Sequence, residues 1–211
     1  MAQNNLIKIL AFDPGIQHLG YSLSQYDPVN DKMVVQTYGV IHGQQLLKKK
    51  KEMTEIYGRR FVILDAFEVI IADLMREFQP DYVVTEGAFQ HLFPDAYAAL
   101  VLVIHTIKRA AFQIVQKFVY SVSPKESKKA ISHDGTADKE AVIDAVLKHP
   151  DIEIKPSAAA KELLVEHSAD TIAGAWAFIR NHLKNIIDPE GPPLDLKDLV
   201  VVKQPSKTKK K

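Results

Sequence analysis

Three acidic residues stand at positions suited to building a reaction centre. Asp13 follows the apolar run LIKILAF at residues 6–12, Glu86 follows YVVT at residues 82–85, and Asp170 precedes a mostly apolar stretch at residues 172–178. The first two runs read as strands, and open α/β sheets place ligands at the carboxyl ends of their strands. Three carboxylates brought together repel unless a cation neutralises them. Oxygen donors with room for water suit Mg2+, and Mn2+ can substitute. Two such ions about 3.5–4 Å apart orient a water and stabilise the leaving oxygen of a phosphodiester. Each residue also has a plainer explanation. Asp13 before Pro14 and Gly15 is a turn former, Glu86 before Gly87 is a strand-end residue, and Asp170 is a solvated helix residue. Spacing alone leaves both explanations open.

The elements that must position these residues are legible in outline. Residues 6–12, 19–25 and 33–41 read as three strands joined by turns containing Asp13-Pro14-Gly15, Asp27-Pro28 and Asn30-Asp31. Short turns make these three an antiparallel meander. Residues 60–78 carry apolar groups at helical spacing and stop before Pro80. Residues 82–85 form a short central strand, 95–116 a long apolar helix and 118–123 another strand. Pro124 opens a short helix, a loop covers 132–138, a helix runs to 147, and residues 161–183 read as the last main helix. Residues 149–159 read as a turn-rich connection. The expected fold is α/β, with a mixed five-stranded sheet, three antiparallel strands then two parallel, flanked by helices.

The expected organisation is one domain over residues 1–188 with a polar, lysine-rich tail at 189–211. Composition is that of an ordinary globular chain: 46% apolar and 25% charged residues over 211 positions. Cysteine is absent, which excludes a disulfide scaffold and thiolate metal or redox chemistry in this sequence. The first residues lack the apolar core of a signal peptide, and no run of 18 apolar residues points to a membrane span. A cytoplasmic location, in a bacterial or phage-infected cell, is the expectation; an organellar one stays open. Net charge is only +1, so its distribution matters more than its sum. Residues 48–51 are all lysine, with Arg59 and Arg60 close behind, and Lys125, Lys128, Lys129 and Lys139 form a second cluster. Basic patches sharing one face suit a polyanion; solvated surface is the alternative.

The strings around these residues resemble a known family. ILAFDPGIQHLGYSL resembles the first motif of the RuvC family of Holliday junction resolvases, which have the ribonuclease-H-like fold. YVVTEGAF resembles the second motif, in which a Glu ends a strand and a Phe follows three residues later; these are Glu86 and Phe89. YSVSPKESKKAISHDGTADKEAVIDAV resembles the next block, with two basic residues eleven apart, here Lys128 and Lys139. HSADTIAGAWAFI resembles the last motif, where two acidic residues three apart open the final helix. The resemblance spans about residues 6–183, in four blocks in the expected order. Position 167 departs from it, with His where many relatives have Asp, and Glu166 beside it is a fallback carboxylate. A basic insert at 44–60 and the tail are also extra.

The resemblance implies a catalytic, metal-binding set of Asp13, Glu86, His167 and Asp170, taking Mg2+ (or Mn2+), two ions per site. Phe89 would intrude on stacked bases near a crossover. Lys128 and Lys139 would hold phosphates, with His133 as a further contact and Lys48, Lys49, Arg59 and Arg60 of the insert as outlying ones. The implied reaction is hydrolysis of phosphodiester bonds in a four-way junction by paired symmetric nicks, by a two-fold homodimer formed through the helix at 95–116. Two alternatives remain: a flap or branched-DNA nuclease of the same fold acting in phage genome processing, and a non-catalytic DNA-binding member. A sugar-kinase-like reading lacks its second glycine-rich phosphate motif and its length.

Overall fold

The computed structural model describes residues 6–88, 93–155 and 164–187. The expectations for Phe89 and for the tail at 189–211 fall outside them. Six strands form one sheet: β1 (Ile7–Asp13), β2 (His18–Asp27), β3 (Lys32–His42), β4 (Tyr82–Glu86), β5 (Val119–Val122) and β6 (Ile152–Ile154), in the order β5-β4-β1-β2-β3-β6. The antiparallel meander of β1, β2 and β3 and the parallel additions of β4 and β5 match the sequence pattern. The five-stranded count does not hold. β6 pairs in parallel with the far edge of β3, from Met33 against Ile152 to Val35 against Ile154. Three residues are too few for a legible alternation, although Ile152 and Ile154 turn inward around exposed Glu153.

Two helical layers cover the sheet because successive side chains of a strand point to opposite faces. In β1, Ile9 and Ala11 enter one core while Leu10 and Phe12 enter the other. The first core is closed by α5 (Pro124–Ser132), α6 (Lys139–Lys148) and α7 (Glu166–Phe178), the last continuing in a π-turn over Ile179–Leu183 before the single turn α8 (Lys184–Ile187). The second is closed by α3 (Arg59–Phe78) and α4 (Pro94–Ala110), which also ends in a π-turn, at Ala111–Val115. The basic insert folds as two short helices, α1 (Gly43–Lys48) and α2 (Lys51–Tyr57). The last main helix starts at Glu166, and the earlier residues 156–163 lie outside the described part.

Local chemistry sets the ends that matter for the site. Ser123 and Glu126 form a reciprocal cap at the start of α5 with Pro124 in its first turn, which fixes the helix carrying Lys128. Asp138 caps α6 by accepting from the Ala141 amide at 2.9 Å, which starts the helix at Lys139. Gly20 is required by packing: a Cβ there would lie 2.5 Å from the His167 carbonyl oxygen, so only glycine lets β2 approach the first turn of α7.

Candidate active site

Asp13 and Glu86 come together because β1 and β4 are parallel neighbours. Phe12 pairs with Thr85, so the next residue of each strand stands at the same carboxyl edge. The first turn of α7 adds His167 and Asp170, three positions apart and therefore on one helical face. His167 Nδ1 lies 2.6 Å from Asp13 Oδ2. A proton on Nδ1 would make this a donor to Asp13 and leave Nε2 as the nitrogen open to a ligand.

Electrostatics bind the four into one centre. Burial, and then the charges of Asp13 and Asp170, push the Glu86 carboxyl up to about 8. Burial, and then Asp13 and Glu166, push Asp170 up to about 6. The hydrogen bond to Asp13 raises His167, against the opposing effect of its burial. Lys128 is the lysine whose charge relieves both Glu86 and Asp170. Its ammonium is held in place by donating to the Ala137 carbonyl at 2.7 Å. Among the described residues no three His, Asp or Glu side chains form a ready-made metal cage. The donor set still fits a hard divalent cation in chemistry, since it offers carboxylate oxygens whose mutual repulsion a cation would relieve, plus one free imidazole nitrogen.

The remaining expected residues divide. Lys139 is exposed at the start of α6 and pairs with Glu166 at 2.6 Å, immediately before His167. The insert roots beside the centre, since the Gly43 amide donates to the Gln17 carbonyl at 2.8 Å. Lys48, Lys49, Arg59 and Arg60 are exposed on it, with Arg59 donating to Gln44 Oε1 at 2.8 Å. His133 is not drawn to the carboxylates. It ends α5 in a left-handed conformation, at φ 62°, and lines a separate groove with His149, Trp176 and Arg180. That groove lies roughly two turns further along α7 than Asp170. One neighbour of the centre went unassigned in the sequence: the His18 ring lies 5.1 Å from that of His167. Nothing in the local sequence around His18 signals that contact, which joins a strand to a helix 149 positions away.

No family profile matches the chain. A crossover junction endodeoxyribonuclease RuvC from Alkaliphilus metalliredigens is 30% identical over 136 residues, which is 64% of this chain and 73% of that protein. The protein of the same description from Finegoldia magna is 28% identical over 165 residues, 75% of this chain and 90% of that one. Among solved structures, Thermus thermophilus RuvC in complex with a Holliday junction shares the fold, with a TM-score of 0.62, 20% identity, and coverage of 82% of this chain and 93% of that one.

Proposed function

The chain belongs to the RuvC family of crossover junction endodeoxyribonucleases, and we propose that it is a metal-dependent endodeoxyribonuclease that resolves four-way DNA junctions by paired symmetric nicks. The observation that carries this reading is the meeting of Asp13, Glu86, Asp170 and His167 at the carboxyl edge of β1 and β4, with Lys128 among them. Asp13, Glu86 and Asp170 would hold the metal through carboxylate oxygens, and His167 would add its Nε2. Mg2+ or Mn2+ held there, as two ions, would supply activation of the attacking water and neutralisation of charge at the phosphate. Asp13 holds His167 in one tautomer through the Nδ1 hydrogen bond. Lys128, fixed by the Ala137 carbonyl, places a positive charge where the transition state gathers negative charge. Lys139 and the insert residues Lys48, Lys49, Arg59 and Arg60 hold phosphates further out without reading sequence.

Paired nicks call for two centres, and α4 offers the surface that would join them. Val103 and Ile107 are buried in the core, while Val101 and Leu102 stay about two-fifths exposed. The stretch Pro94–Val115 is long and apolar enough to cross a membrane by length and composition, with a third of it buried. Its inward face belongs to the core beneath α3, so we assign its outer face to a second copy of the chain. A cleavage panel of four-way junction, three-way branch, flap and plain duplex, in Mg2+ and in Mn2+, tests the reading. Preference for the four-way junction is expected. Equal cutting of flaps removes the resolvase assignment, and no nicking in either metal removes the nuclease one.

A further inference from the structure

His167 ends a row of three imidazoles, and none of the roles above uses the other two, His18 and His42. His18 and His42 are direct cross-strand partners at the end of the β2–β3 ladder. The His42 ring meets that of His18 edge-on, at 5.2 Å and 88°. The His18 ring in turn makes a tilted contact with that of His167, at 5.1 Å and 31°. His167 closes the row with its Nδ1 on Asp13. Ile16, Tyr97 and Leu100 line the groove that His18 and His167 share.

We infer that His18 is a positioning residue for His167, a role that rests on the active-site reading proposed above. A single hydrogen bond from Nδ1 fixes one point of an imidazole and leaves the ring free to tilt about it. Three contacts together do not. Gly20 brings β2 against the His167 main chain, where an added Cβ would lie 2.5 Å from its carbonyl oxygen and 3.1 Å from its Cβ. Asp13 takes the nitrogen, and the tilted His18 ring packs beside the imidazole. His18 and Gly20 alternate with Leu19, so one strand supplies both the backbone contact and the ring contact to the same residue. His42 meets His18 edge-on and ties the row to the start of the insert, because it immediately precedes α1. The ring contact depends on shape, so a phenyl ring at position 18 should serve where a methyl group cannot.

The full chain is the test material, as wild type, His18→Ala and His18→Phe. Three readouts are taken: single-turnover cleavage of a four-way junction in Mg2+, junction affinity in Ca2+, and 1H–15N spectra of histidine-labelled, metal-free protein. The spectra report the His167 Nδ1 proton and its contacts to the His18 ring. His18→Ala should slow cleavage about tenfold to a hundredfold with affinity changed less than about twofold, while His18→Phe recovers to within about threefold of wild type. The slowly exchanging Nδ1 proton should vanish in His18→Ala and persist in His18→Phe. An Ala variant that keeps both rate and Nδ1 proton overturns the inference. So does a Phe variant as slow as Ala with matching loss of affinity, which would make His18 a DNA contact. If the wild type cuts no junction, the proposed function fails, and the Nδ1 proton still decides whether His18 positions His167.

Discussion

Replacing Glu86 with Gln should stabilise the metal-free protein, by an amount set by pH. Burial and the charges of Asp13 and Asp170 move the Glu86 carboxyl from 4.5 to about 8. A carboxyl raised in the folded state favours the folded, protonated chain. That contribution is complete below pH 4.5 and is lost as pH climbs towards 8. Each pH unit in that window is worth roughly 1.4 kcal/mol, so the full loss is on the order of 5 kcal/mol. Neighbouring charges and partial solvent access share it, which leaves about 2–4 kcal/mol. Glutamine cannot ionise and escapes the loss. For a chain of this size about 1 kcal/mol moves the unfolding midpoint by about 2–4 °C, so Glu86→Gln should unfold roughly 5–15 °C above wild type at pH 8.5. At pH 4.5 the two should differ by no more than about 2 °C. Thermal unfolding in a chelator, followed by circular dichroism across that range, measures it. Saturating Mg2+ should then raise the wild-type midpoint more than that of the variant. Parallel pH profiles for the two proteins would refute the claim that Glu86 lies in a shared, charge-strained centre.

Other consequences follow from the same geometry. Lys128→Ala removes the ammonium beside Glu86 and Asp170 and should lower single-turnover cleavage about a hundredfold, with a smaller loss of junction affinity measured by gel shift. Neutralising Lys48, Lys49, Arg59 and Arg60 together should weaken binding to all branched DNAs alike; the slope of log affinity against log salt should fall by up to about 3.6, read from a salt titration. Leu102→Asp on the exposed face of α4 should shift the protein from dimer to monomer in sedimentation while leaving its circular dichroism unchanged.

The parts of the molecule that were legible are those where local chemistry and tertiary position agree. LIKILAF is apolar at every position but one because β1 is covered on both faces, and the Asp-Pro-Gly turn ends it at the residue that faces the centre. Glu86 was readable for the same reason. The sixth strand escaped because its pairing comes from the edge of β3 and its three residues carry too short a pattern. The insert read only as polar and basic with weak helical character, because its run of lysines leaves little apolar periodicity; it folds as two short helices, of which α2 buries no residue. His133 was grouped with the phosphate contacts from its place in a loop; it ends α5 in a left-handed conformation and lines a groove with Trp176 and Arg180. The contact of His18 with His167 joins residues 149 positions apart, through a strand and a helix whose approach depends on Gly20. No local pattern encodes such a distance.

The central claim is that Asp13, Glu86, Asp170 and His167 together cut branched DNA. Nick mapping tests it most directly, using a four-way junction labelled on each strand in turn, with wild type and Asp13→Asn compared in Mg2+. Paired nicks at symmetric positions in two opposed strands are expected from the wild type, with none from Asp13→Asn, which should still bind the junction. Nicks that persist in Asp13→Asn, or that fall without symmetry on single strands, would contradict the account.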